Sequence, residues 1–294
     1  MQSITINANA KINLSLNITG TENNLHTLDM VLVSVDLCDT ITVTKRADNI
    51  VSVKYSIPDI VVGNDSVTKA AELFVSKYVT AYSIGGLDIF VKKRIPLAAG
   101  LGGSGVDAAG VLNALAKMYG ITDDLSSLAT VVGSDAPYLL HGGLARVTGT
   151  GNIIEWYNIN RGRQNTNTLH VVLTKPPTGV LSSTAYKVFD TLYQNKHFSP
   201  SNNNALIDAL LQNNLTAGLT HMDNALTTAS IHLNPAIYTT LTALQSTNAL
   251  KAIMTGSGSC CVGFFENAQA AQSAATKLQD QNLWAVATTT VRKT

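Results

Sequence analysis

Polar and apolar residues alternate in short runs through the first part of the chain. Residues 3–8, 11–18, 30–35 and 40–44 are β-branched or alternating, with polar breaks between them, and four strands are predicted there. The period then changes. Val67, Ala70, Ala71, Phe74 and Tyr78 share one helical face, so residues 66–78 are predicted to be helical. Residues 87–91 alternate again, as a half-buried strand does. Behind them Ala108, Val111, Leu112, Leu115 and Tyr119 recur at helical spacing, which predicts a helix over 107–119 closed by Gly120. A further helix over 125–132 runs into Gly133-Ser134-Asp135-Ala136-Pro137.

The second half mixes the two periods. Residues 169–174, 249–255, 260–265 and 283–291 read as strands. Residues 184–192, 205–212, 219–228, 235–245 and 268–279 read as helices. Strands and helices interleaved in this way predict an α+β architecture. The polar stretch 158–167 is the best linker. Two domains are expected, 1–160 and 161–294.

Composition narrows the functional classes. With 45% apolar and 13% charged residues and a net charge of +1, the chain is globular and carries no basic stripe for nucleic acid. Its densest cationic run, Lys92-Lys93-Arg94, reads as a solvated strand end, or as added positive potential near a phosphate. Cys38, Cys260 and Cys261 have neither disulfide nor metal-ligand spacing, which fits small buried residues in a reducing cytoplasm. The N-terminus lacks the basic and apolar regions of a signal peptide. No apolar run is long enough to cross a membrane.

The candidate chemistry centres on residues 96–109, PLAAGLGGSGVDAA. Gly100, Gly102, Gly103 and Gly105 lie between a strand and a helix N-terminus. Free backbone N–H groups and the positive end of the helix dipole gather there, a ready phosphate site. A tight structural turn is the other reading. The spacing is neither that of the P-loop nor that of the dinucleotide fingerprint.

Six segments in order resemble the GHMP kinases. They are Ala8-x-Ala10-Lys11-Ile12-Asn13-Leu14, His26-Thr27-Leu28, Pro96 to Ala109, Gly133-Ser134-Asp135-Ala136-Pro137, Asn224-Ala225-Leu226 and Thr255-Gly256-Ser257-Gly258-Ser259. The resemblance implies a two-domain GHMP kinase fold. Its N-terminal domain would be like ribosomal protein S5 domain 2, with a left-handed β-α-β crossover, and its C-terminal domain ferredoxin-like. The implied activity is phosphoryl transfer from ATP, with Mg2+, to the hydroxyl of a small-molecule alcohol, by a monomer or homodimer with no nucleic-acid or membrane partner. The match is best to the branch whose acceptor carries a cytidine diphosphate group and serves isoprenoid biosynthesis. The resemblance makes Asp135 the general base and sets Lys11 beside it, to hold the carboxylate ionised and stabilise the alkoxide. It makes Pro96, Ala99, Gly100, Leu101, Gly102, Gly103, Ser104 and Gly105 the ATP-binding residues. It assigns Asn13, His26, Tyr186, Gly256 and Ser257 to the substrate.

Each residue has a plainer reading. Asp135 before Ala-Pro suits a helix cap. Lys11 suits an exposed strand face, His26 a surface or satisfied core histidine, Tyr186 a core-facing helix position, and residues 256–259 a hairpin turn.

The chain also departs from the family's pattern. Two serines and an asparagine of the phosphate loop are replaced by Gly105, Val106 and Asp107. Losing one hydroxyl bond to phosphate costs about 1.5–3 kcal/mol. Ser104 offers a hydroxyl from the neighbouring position. Asp107 repels a phosphate at the same helix end, unless it ligates the metal together with Ser104. Leu25 stands where the family has a tyrosine that stacks on cytosine, and Asp65-Ser66 replaces Asn-Leu. Three readings follow: the cytidine-linked alcohol as acceptor, a different alcohol, or a kinase-like fold that senses a nucleotide or metabolite without turnover.

Overall fold

The computed structural model describes residues 2–157, 168–193 and 200–291. Two compact units emerge. The first comprises Met1–Ala10, Leu37–Pro96 and Gly102–Gly142, and the second Lys11–Asp36, Leu97–Leu101 and Gly143–Thr294. The linker expected at 158–167, and with it the break expected at 160/161, lies outside the described residues.

Two long strands, β1 (Ser3–Glu22) and β2 (Leu25–Lys45), replace the four short ones predicted. The polar residues that suggested breaks are accommodated on the strands. Asp39 stays in β2 because the backbone N–H groups of Arg94 and Ile95 bond one of its oxygens, at 2.5 and 2.9 Å. Lys11, Asn13, Ser15 and Asn17 form a buried polar row on one face of β1, between apolar Ala10, Ile12, Leu14 and Leu16.

The first unit also contains β3 (Val51–Tyr55), α1 (Ser66–Tyr82), β4 (Leu87–Lys92), α2 (Gly103–Tyr119), α3 (Ser126–Val132) and the short α4 (Ala136–Leu139). β3 pairs parallel with β4 across the α1 crossover, and β4 pairs antiparallel with the end of β2. Val67, Ala70, Ala71 and Phe74 of α1 and Val111, Leu112 and Leu115 of α2 fill the core. Gly110 lets α2 lie on the sheet, since a Cβ there would stand 2.1 Å from Ile41 Cδ1. The helix predicted from Asp107 starts four residues earlier, inside the glycine loop.

The second unit contains β5 (Leu144–Gly149), β6 (Ile153–Tyr157), β7 (His170–Lys175), α5 (Ser182–Tyr193), α6 (Asn203–Leu211), α7 (Leu215–Thr220), β8 (Asp223–Asn224), α8 (Thr227–Leu233), α9 (Ala236–Gln245), β9 (Lys251–Met254), β10 (Cys261–Phe265), α10 (Ala268–Asp280) and β11 (Trp284–Val291). β11, β7, β10 and β9 lie side by side, all antiparallel. With α9 and α10 in the crossovers this is the split β-α-β order of a ferredoxin-like domain. The hairpin β5–β6 went unpredicted. The helix predicted over 219–228 is interrupted, because Asp223 and Asn224 pair with Ser15 and Leu16 of β1 and end α7 before α8 begins. Among the described residues no helix is long and apolar enough to cross a membrane.

Candidate active site

The glycine loop ends in the N-terminus of α2. Gly102 caps α2 with φ 77° and makes no side-chain capping bond. Val106 N–H donates to Gly102 O at 2.8 Å, and the N–H groups of residues 103–105 precede this first intrahelical bond, as at any helix start. Ser104 is exposed at this end. Its carbonyl accepts a 2.8 Å bond from Ser66 Oγ, so the departure at Ser66 ties α1 to the loop. Asp65 caps α1. Burial opposes its charge, yet bonds from Thr68 and Tyr55 hold its carboxyl below the usual range.

Asp135 adjoins this helix start. A Cβ on Gly105 would lie 3.6 Å from Asp135 Cβ and 3.0 Å from Leu139 Cδ1. Asp135 occupies the N-cap position of α4, but its side chain makes no capping bond, so capping does not account for it.

Beneath the same helix Lys93 is buried between two carboxylates. Its Nζ contacts Asp39 Oδ2 and donates to Asp107 Oδ2 at 2.6 Å, and all three side chains are at most 3% exposed. The solvated strand end expected at Lys93 is therefore corrected: the strand register turns Lys93 inward to meet Asp39. Among the described residues Asp107 Oδ1 has no hydrogen-bond partner. Burial, with Asp39 nearby and despite Lys93, pushes the Asp107 carboxyl up to about 8 from 3.8. The folded chain then holds a proton that the unfolded chain releases, so stability falls as pH rises from about 4 to about 8. Asp107→Asn is expected to flatten that decline. Melting temperatures of variant and wild type across this range test it, and parallel curves would contradict it.

The second unit gathers the remaining motifs. Lys11 N–H donates to Leu101 O at 3.2 Å, and Cys260 N–H to Ala99 O at 3.1 Å. Lys11 is 5% exposed, and its Nζ donates to Asn13 Oδ1 at 2.8 Å, so the exposed-strand reading fails. Asn13 N–H donates in turn to Thr255 Oγ1 at 2.8 Å. Loop and third motif touch backbone to backbone. A Cβ on Gly100 (φ +75°) would fall 2.4 Å from Thr255 O, and one on Gly256 (φ +57°) 2.6 Å from Gly100 O. Pro96, in the first unit, leads into this loop. Ser257 meets Ser182 Oγ at 2.7 Å, while its carbonyl accepts from Ser230 Oγ.

Asn224 secures the third motif. It donates to Met254 O and Gly256 O at 2.9 and 2.8 Å and accepts from Leu226 N–H, all buried. Asn224→Ala would strand these groups, so a loss of about 2–4 kcal/mol of stability is expected in urea titrations. A loss below about 0.5 kcal/mol would contradict this role.

His26 and Tyr186 come together. Their rings stack at 4.7 Å with 24° between planes, and His26 Nε2 lies 2.7 Å from Asp190 Oδ1. Ala185 and Phe189, not Tyr186, are the core residues of α5. Leu25 is 59% exposed beside this pair.

Asn224, Thr255, Asp39 and Asp190 were absent from the predicted site residues. Asn224 and Thr255 lay inside quoted motifs. Asp39 was signalled by a carboxylate in a strand, where Asp is depleted, and Asp190 by its one-turn spacing from Tyr186.

Residues 65–143 match the family described as GHMP kinases N terminal domain, and residues 202–282 that described as GHMP kinases C terminal. The 4-diphosphocytidyl-2-C-methyl-D-erythritol kinase of Acetivibrio thermocellus is 33% identical over 91% of this chain and 92% of its own. That of Clostridium novyi is 34% identical over 90% and 92%. A crystal structure of 4-(cytidine 5'-diphospho)-2C-methyl-D-erythritol kinase superposes with a TM-score of 0.78 at 25% identity, covering 98% of this chain and 99% of that one.

Proposed function

The chain belongs to the GHMP kinases, and from that premise we propose that it transfers the γ-phosphoryl group of ATP to a hydroxyl of 4-diphosphocytidyl-2-C-methyl-D-erythritol. One observation carries the reading. Within the first unit, Asp135 makes no capping bond of its own and adjoins the N-terminus of α2 at Gly105.

In this reading the first-turn N–H groups of α2, at Gly103, Ser104 and Gly105, hold the ATP phosphates, with Pro96, Ala99, Gly100, Leu101 and Gly102 shaping the approach. Asp135 accepts the proton of the acceptor hydroxyl as its oxygen attacks. The Lys11 ammonium, held by Asn13, stabilises the charge that develops on that oxygen. Asn13, His26, Tyr186, Gly256 and Ser257 orient the acceptor.

Mg2+ bound with the ATP would neutralise charge on the transferred group. Such an ion keeps waters and phosphate oxygens and needs one or two protein ligands. The exposed Ser104 hydroxyl suits it. Asp107 does not, since Lys93 takes one of its oxygens and the other is buried, so we assign Asp107 to the Lys93 cluster instead of the metal.

A second reading has its own observation. Leu25 removes one aromatic wall for a cytosine, which favours a different alcohol. A panel separates the two: kcat/KM for the cytidine-linked acceptor against the same alcohol without the nucleotide. A higher value for the cytidine compound supports the first reading, and equal or lower values support the second.

A further inference from the structure

The tip of the β1–β2 hairpin is set against α5 by a contact that the transfer reaction does not explain. Asn23 and Asn24 turn the hairpin with φ of 49° and 62°, the left-handed pair of a tight two-residue loop. Thr19 Oγ1 bonds Thr27 Oγ1 across it at 2.9 Å. His26 is thereby fixed at the start of β2. On α5 the buried Ala185 and Phe189 anchor the helix, and Phe189 stacks on Tyr193 at 4.6 Å. Tyr186 and Asp190, one turn apart, therefore share the neighbouring face. Tyr186 covers the flat of the His26 ring, and Asp190 takes its Nε2 edge.

A carboxylate only accepts hydrogen bonds. Nε2 must carry the proton it shares with Asp190, and in the neutral ring Nδ1 is then left as a lone-pair acceptor. We propose that Asp190 is a positioning residue that fixes His26 with Nε2–H toward α5 and Nδ1 free to accept an N–H or O–H donor of the acceptor molecule. This rests on the substrate-side role given to His26 above. Tyr186 sets the plane of the ring and Asp190 its rotation and tautomer, so the pair replaces part of the orientation that Leu25 cannot supply.

Two measurements on the full chain test it. The first is independent of turnover. The nitrogen-15 spectrum of the neutral His26 ring is expected to show protonated Nε2 and bare Nδ1 in the wild type. Asp190→Ala is expected to give a tautomer mixture, and Asp190→Asn, whose amide oxygen still accepts, to keep the wild-type form. A wild-type ring protonated on Nδ1, or an alanine variant with an unchanged spectrum, would overturn the proposal.

The second is kinetic. Asp190→Ala is expected to raise KM for the acceptor about tenfold, the effect of one lost orienting hydrogen bond. KM for ATP should stay within about twofold, and Asp190→Asn should recover most of the loss. Equal changes in both KM values, or an asparagine variant as poor as alanine, would overturn it. If the wild type ignores the cytidine-linked acceptor, that failure belongs to the substrate reading, and the tautomer spectra alone decide this proposal.

Discussion

Asp135→Ala is expected to lower kcat about a hundred- to ten-thousandfold, the usual share of a positioned general base, and to leave ATP affinity within a few-fold. The backbone around Asp135 does not depend on its side chain. Ala136 N–H bonds Gly133 O at 3.2 Å, Leu139 N–H bonds Asp135 O at 3.1 Å, and Pro137 stiffens the first turn of α4. Alanine keeps all of these backbone bonds, so α4 should stay formed. What it would remove is the proton acceptor proposed beside the start of α2. Asp135→Asn should fare nearly as badly, since an amide oxygen keeps the shape but not the basicity. Initial rates at saturating ATP, beside ATP binding by calorimetry, check both. A kcat within tenfold of the wild type would remove Asp135 as base.

Lys11→Met is expected to lower kcat about a hundred- to thousandfold, as removal of one preorganised stabiliser of transition-state charge does. ATP affinity should again change little. Methionine fills most of the space of the lysine stem on a strand position only 5% exposed, so packing survives and charge is lost. Lys11 sits against the loop through its backbone N–H, which the substitution retains. The ammonium itself is directed by Asn13. The discriminating measurement is therefore the split between kcat and ATP affinity. If both fall together, Lys11 is a nucleotide ligand and not a stabiliser of the attacking oxygen.

Local pattern carried much of this architecture. The face of α2 from Ala108 to Leu115, the alternation of β4 and the β9–turn–β10 unit were legible because each is set by residues close in sequence. The failures share a cause. The length of β1 and β2 depends on partners far along the chain that satisfy Asn13, Ser15, Asn17 and Asp39. Lys93 looked solvated because its two carboxylates lie 54 and 14 positions away in the chain. The break between α7 and α8 comes from Asn224, whose bonds to Met254 and Gly256 outweigh the helical spacing around it. In the site, the motif residues were recognisable and their supports were not. The spacing of Asp190 from Tyr186 was there to read, but only the stack of His26 on Tyr186 gives it a ring to orient.

The central claim is tested most directly by phosphoryl transfer from radiolabelled MgATP to 4-diphosphocytidyl-2-C-methyl-D-erythritol with the full chain. Label is expected to appear as a phosphomonoester on the acceptor, in step with ADP release, and only when that acceptor is present. ATP bound but never transferred to it, at any acceptor concentration, would contradict the account.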